Sequence, residues 1–129
     1  MKSLALAALI AVSIPAVALA QSRHTAVDGD TFDWRGRRYR MVGIDTPESK
    51  GCDPETAARA KAKLQELLDQ GVRLRGIGLD LYGRTLAVVW QRSNGYSTAD
   101  ILLREGLARP YYGSGPHPWC HGMKIEGPR

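Results

Sequence analysis

Apolar positions along the chain follow three spacings. Leu4 to Ile14 is an apolar run broken only by one serine. Ala57, Ala60, Leu64, Leu67 and Leu68 recur at helical spacing and predict one amphipathic helix with a core-facing stripe. Short β-favouring segments bounded by Gly, Pro, Asn and Asp predict strands at His24 to Val27, Thr31 to Trp34, Arg37 to Ile44, Val72 to Ile77 and Thr85 to Trp90. Asp28-Gly29, Arg35-Gly36 and Ser93-Asn94-Gly95 are the turns between them. Pro47 and Gly51 put Asp45 to Cys52 in a loop, and Gly78 to Arg84 forms another.

The helix has start and stop signals. Asp53 can cap it, Pro54 suits its first position, and Gly71 ends it. Glu55 and Arg59 stand four apart in the favourable order. Thr98 can cap a second, short helix carrying Ile101, Leu102 and Leu103, closed by Gly106. The order is three strands, a helix, two strands and a helix. It predicts an α+β, mainly β fold, a five-stranded barrel of the oligonucleotide-binding (OB-fold) type with two helices. From Gly113 on, Gly, Pro and His dominate, and we expect an extended tail over 113–129.

The first apolar run belongs outside that fold. Lys2 precedes it, Pro15 breaks it, and Ala18-Leu19-Ala20 has the small-x-small form of a cleavage site. We expect a secretory signal over 1–20, a working domain over 21–112, and a periplasmic or secreted protein starting at Gln21. The run is too short and too interrupted for a spanning helix, and no cysteine follows it to carry a lipid anchor. We expect a monomer with no membrane anchor and no stable protein partner.

Charge and cysteines narrow the picture. The formal net charge of +5 fits a polyanionic partner and equally fits ordinary solubility. An exported chain with two cysteines favours a disulfide, here Cys52 with Cys120. So long a loop would gain about 4 kcal/mol in the chain-entropy model. A metal cluster of His117, Cys120 and His121 is the weaker reading, because that spacing fits no common zinc pattern.

The chemistry concentrates in Asp28 to Glu48, where two acidic turns flank a basic hairpin. Asp30 and Asp45 end strand segments beside turns, and two such carboxylates with a carbonyl suit Ca²⁺ or Mg²⁺. An EF-hand is excluded, because its glycine position holds Asp33 and its closing-glutamate position holds Tyr39. Glu48 fits a metal ligand, a general base or a surface acid. Arg40 and Arg84 are candidates for forked contacts to phosphate. Asp28, Asp33, Arg35, Arg37 and Arg38 read as scaffold or solvent face. Along a straight strand Arg40 and Asp45 would lie up to about 16 Å apart, so they meet only if the chain bends, for instance at Gly43.

Three ordered motifs then carry a resemblance: Val27-Asp28-Gly29-Asp30-Thr31; Arg40 with Gly43-Ile44-Asp45-Thr46-Pro47-Glu48; and Tyr82-Gly83-Arg84-Thr85-Leu86-Ala87. Leu103-Arg104-Glu105-Gly106-Leu107-Ala108 extends it. Over about Ala26 to Tyr112 the chain resembles the staphylococcal-type nuclease (thermonuclease) family. The resemblance implies the OB-fold barrel and Ca²⁺-dependent hydrolysis of DNA and RNA, leaving 3′-phosphate ends. It implies that Asp30 and Asp45 hold Ca²⁺ with the backbone carbonyl of Thr46, and that Glu48 is the general base. It further implies that Arg40 and Arg84 bind phosphate, that Tyr82 lies near the nucleotide, and that Tyr111 and Tyr112 stack on it. Exposed tyrosines would stack on bases without reading sequence.

Two departures stand out. The family's third, C-terminal helix is expected to be missing, with the disulfide taking over part of its stabilising role. Leu81 stands where the family often has a basic or polar residue. Against the nuclease reading stands a non-catalytic OB-fold module that binds nucleic acid or another anion, and a small exported structural or inhibitor domain. The set Asp30, Arg40, Asp45, Glu48 and Arg84 weighs against the binder, which needs no such set. The structural domain leaves the motifs unexplained.

Overall fold

The computed structural model describes residues 3–13, 15 and 23–119. Residues 3–13 have no regular structure and are exposed, with Leu4, Leu6, Leu9, Ile10 and Val12 open to solvent. No helix among the described residues is long and apolar enough to cross a membrane. The expected cleavage site at Ala18 to Ala20, with Gln21, lies outside the described residues, as do Cys120 and His121.

Among the described residues, seven strands and two helices follow in order: β1 (Thr25–Ala26), β2 (Thr31–Trp34), β3 (Arg37–Met41), β4 (Gly43–Asp45), α1 (Pro54–Asp69), β5 (Val72–Leu79), β6 (Thr85–Gln91), α2 (Thr98–Arg104) and β7 (Arg109–Tyr111). Five strands form one mixed sheet in the order β1-β2-β3-β6-β5, in which only β3 and β6 run parallel. β4 and β7 form a separate antiparallel ladder. The sheet is open, with β1 and β5 at its edges, so strand pairing does not close the barrel expected from the element order.

The cause lies in the strand predicted over Arg37 to Ile44. Val42 N still donates to Ala87 O at 3.1 Å, but Gly43 then adopts φ 86° and turns the chain away. A left-handed φ is nearly free for glycine and strained for other residues. One predicted strand therefore becomes two, in two ladders. The second ladder needs β7, which sequence reasoning missed because Arg109-Pro110-Tyr111 is three residues long and centred on a proline, which lacks an N–H donor.

The hairpin of β2 and β3 turns through Arg35 and Gly36, at φ 49° and 74°. Asp53 Oδ1 accepts from Thr56 N at 3.0 Å, capping α1 as its sequence predicts. The short helix is capped by Ser97, one residue before the expected Thr98. Thr98 is buried instead, and its Oγ1 donates to Gln91 Oε1 at 2.8 Å. Gln91 Nε2 donates in turn to Leu67 O, so a satisfied polar link joins β6, α1 and α2.

Phe32, Met41, Ile44, Leu64 and Leu102 are the largest apolar side chains fully buried in the core. The predicted α1 stripe of Ala57, Ala60, Leu64, Leu67 and Leu68 is buried throughout. α1 also presses on the Asp28 to Asp30 turn. A Cβ built on Gly29 would lie 2.6 Å from Ala60 Cβ and 2.9 Å from Thr46 Cβ. Gly29 thus lets the helix approach the backbone that carries Asp28 and Asp30.

Candidate active site

Strand pairing brings the acidic turns together. Thr31 pairs with Arg40 across β2 and β3, which sets Arg40 beside Asp30. The turn at Gly43 then carries Asp45 back toward the same guanidinium. Arg40 Nη2 stands 3.3 Å from Asp30 Oδ2 and 3.8 Å from Asp45 Oδ1. Arg40 Nη1 donates to Met41 O at 2.6 Å. All three side chains are buried, so their charges interact with little solvent screening.

Asp30 is fixed by its own neighbourhood. Its Oδ1 accepts from Thr31 Oγ1 at 2.9 Å and its Oδ2 from Thr46 N at 3.0 Å. Thr46 Oγ1 is buried with no hydrogen-bond partner among the described residues, an orphaned oxygen in the wall that carries the carboxylates. Asp28 Oδ1 accepts from Asp30 N at 3.3 Å. Burial, then the neighbouring Asp30 charge, pushes the Asp28 carboxyl up to about 7.

A cavity of about 300 Å³ is lined by Asp28, Asp30, Arg40, Asp45, Thr46, Glu48, Tyr82, Arg84 and His117. Each of the expected residues Asp30, Arg40, Asp45, Thr46, Glu48, Tyr82 and Arg84 therefore faces one space. Tyr111 and Tyr112 line an adjoining, larger cavity of about 650 Å³, which shares Arg40, Tyr82, Arg84 and His117 with the first. Tyr82, Tyr112 and Leu81 are strongly exposed.

Arg84 is held by its own loop. Its Nε pairs with Asp80 Oδ2, and its backbone N–H donates to Asp80 Oδ1 at 2.9 Å, as does that of Tyr82. Burial pushes the Asp80 carboxyl up, but these hydrogen bonds outweigh it and hold Asp80 below the usual carboxylate range. The Arg84 guanidinium stands 5.4 Å from the Tyr82 ring centre.

Two lining residues escaped sequence reasoning. Asp28 reads along the chain as scaffold or solvent face, although it opens the first motif. His117 enters the sequence reading only in the weaker metal cluster with Cys120 and His121, and nothing in its Gly/Pro-rich stretch points to Asp45. It reaches the site because the chain returns after β7, placing Nδ1 3.0 Å from Asp45 Oδ1 and the ring 4.7 Å from Tyr111.

The donor set bears on the expected cation. Asp30, Asp45 and the orphaned Thr46 hydroxyl are oxygen donors, which suit a hard cation. Among the described residues, no three His, Cys, Asp or Glu side chains form a ready metal cage. A cation here would complete its shell with carbonyl and water oxygens.

Comparison with known proteins covers the same region. The family model described as "Staphylococcal nuclease homologue" matches residues 38–119. The chain is 37% identical over 93 residues to a thermonuclease of Staphylococcus intermedius, covering 64% of this chain and 54% of that protein. It is 37% identical over 95 residues to a thermonuclease of Staphylococcus hyicus, at 64% and 54% coverage. It is 37% identical over 98 residues to endonuclease YncB of Bacillus subtilis (strain 168), covering 67% of this chain and 46% of that one. The chain spans about half the length of these curated relatives. That family model spans more than half of the chain and takes in Arg40, Asp45, Glu48 and Arg84, so the chain belongs to the staphylococcal nuclease homologue family.

Proposed function

We propose that the protein is a Ca²⁺-dependent nuclease that hydrolyses phosphodiester bonds of DNA and RNA with little sequence preference and leaves 3′-phosphate ends. The observation that carries this is the convergence of Asp30, Arg40, Asp45, Glu48 and Arg84 on one cavity. The relatives named thermonuclease and endonuclease support it. A Ca²⁺ ion bound here supplies Lewis-acid polarisation of a phosphate oxygen and orients a water.

Asp30, Asp45 and the carbonyl of Thr46 would hold that ion. Glu48 takes the proton from the attacking water, standing on the cavity wall outside the Arg40 carboxylate cluster. Arg40 and Arg84 bind the phosphate oxygens where negative charge grows, and their forked donors fit that geometry. Tyr82, Tyr111 and Tyr112 offer ring faces for stacking beside the cavity. The barrel closure expected of an OB fold remains part of this reading, through side-chain packing between the two ladders.

We further propose export after cleavage near Ala20 and a disulfide between Cys52 and Cys120. The observation behind the disulfide is that Cys52 Sγ lies 3.9 Å from the carbonyl oxygen of Trp119, the residue before Cys120 in the sequence. Glu48→Gln tests the chemistry. It should bind single-stranded DNA as the wild type does and lose cleavage. Cleavage at the wild-type rate would remove Glu48 from its role.

A further inference from the structure

We propose that His117 is a positioning residue of this site. The strap over 112–119 carries its imidazole to the Asp45 carboxylate and fixes that side chain for the divalent cation. The inference rests on the nuclease reading for the role of Asp45, and on geometry for the rest.

The two metal-candidate carboxylates are held very differently. Asp30 accepts hydrogen bonds from Thr31 Oγ1 and Thr46 N, both near it in the site. Asp45 has one hydrogen bond to its carboxylate among the described residues, from His117 at 3.0 Å. Its contact with Arg40 at 3.8 Å is too long for a hydrogen bond. Without the imidazole, that long contact would be the one charged partner left to orient the Asp45 carboxylate among the described residues. An ionised carboxylate only accepts, so Nδ1 of His117 carries the hydrogen.

The strap is built to deliver that ring. β7 pairs with β4, and Asp45 lies opposite Arg109. The chain then reverses through Gly113 and Gly115, at φ 85° and 80°, which other residues rarely adopt. Tyr111 Oη donates to Gly115 O at 3.3 Å, closing the reversal. Beyond His117, Arg109 Nη1 donates to Pro118 O at 2.8 Å and to Trp119 O at 3.1 Å. The Arg109 guanidinium also covers the Trp119 indole at 4.4 Å, and Trp119 is buried. His117 is thus anchored on both sides and stacked on Tyr111. A half-exposed histidine would otherwise hold a carboxylate weakly, because water competes for both partners. Here the strap has already ordered the ring.

The test compares wild type with His117→Asn and His117→Leu. Asparagine keeps an N–H donor near the place of Nδ1, and leucine has none. Ca²⁺ alone is titrated calorimetrically without substrate, and kcat and KM are measured on single-stranded DNA. Loss of a hydrogen bond behind a metal ligand typically weakens binding about 10–100-fold. His117→Leu should show that loss in Ca²⁺ affinity and a parallel fall in kcat/KM, while His117→Asn restores most of both. Arg109→Met, which frees the strap, should resemble His117→Leu. If His117→Leu binds Ca²⁺ as tightly as wild type, or if His117→Asn is no better than leucine, the positioning role is overturned. A wild type that binds Ca²⁺ and cuts nothing ends the nuclease reading alone, since the calorimetry still decides on His117. A wild type that neither binds Ca²⁺ nor cuts overturns both.

Discussion

Replacing Gly29 with alanine would put a methyl group where helix α1 and the Thr46 side chain already stand. The new Cβ would lie 2.6 Å from Ala60 Cβ and 2.9 Å from Thr46 Cβ and Cγ2. Carbon atoms in contact prefer about 3.5–4.0 Å, so the shortfall against Ala60 is about 1 Å. Neither Cβ can rotate away, because each is bonded directly to its backbone. Either α1 retreats or the turn carrying Asp28 and Asp30 shifts. Overpacking of this kind costs about 1–3 kcal/mol. A less flexible unfolded chain offsets about 0.4–1 kcal/mol of that. The net expectation is a loss of about 1–2 kcal/mol in urea unfolding. Activity should fall further than stability suggests, by about 10²-fold, because a displacement near 1 Å at a catalytic group has that effect. Adding Ala60→Gly removes the nearest methyl, so the two changes should couple favourably by at least about 0.5 kcal/mol. If Gly29→Ala unfolds like wild type and cuts at full rate, the close approach of α1 to the site is wrong.

Other predictions follow from single contacts. Glu48→Gln should reduce kcat by about 10²- to 10⁴-fold, the range for a lost general base, with the fold intact by circular dichroism. Phe32→Ala should destabilise by about 3–5 kcal/mol in denaturant titration, since Phe32 is fully buried in the core. The Asp80 carboxyl is held below its ordinary value, so its contribution to stability is complete above about pH 4 and is lost as pH falls through the lower, folded value. Asp80→Asn should therefore flatten the acid limb of a stability–pH curve and, by loosening Arg84, weaken substrate binding in a KM measurement. Mass spectrometry of unreduced protein should show no free thiol, and two free thiols would refute the proposed Cys52–Cys120 disulfide.

Local rules exposed much of the fold. Asp53, Pro54 and the alanine and leucine stripe announced α1, and the Arg35-Gly36 turn announced its hairpin. What stayed hidden depends on long-range placement. Gly43 was legible as a possible bend, but the splitting of Arg37 to Ile44 into two ladders depends on β7 arriving beside it. The site divides in the same way. Asp30, Asp45, Glu48 and Arg84 stand beside turn residues in motifs that can be read along the chain. Arg40 owes its place to the register of β2 and β3. His117 lies 72 positions from Asp45, and nothing in its neighbours' chemistry foretells that meeting. Asp28 differs again, because an ordinary turn residue becomes a partly buried acid beside Asp30 only once the chain has folded.

The central claim is that the cavity cuts nucleic acid with a bound cation. Its most direct measurement is degradation of single- and double-stranded DNA and of RNA by the wild-type protein, first with Ca²⁺ and then with excess chelator. The account predicts cleavage of all three with Ca²⁺, fastest on single strands, and none with chelator. Protein that binds DNA yet leaves it intact at every Ca²⁺ concentration would contradict it and favour a non-catalytic nucleic-acid binder.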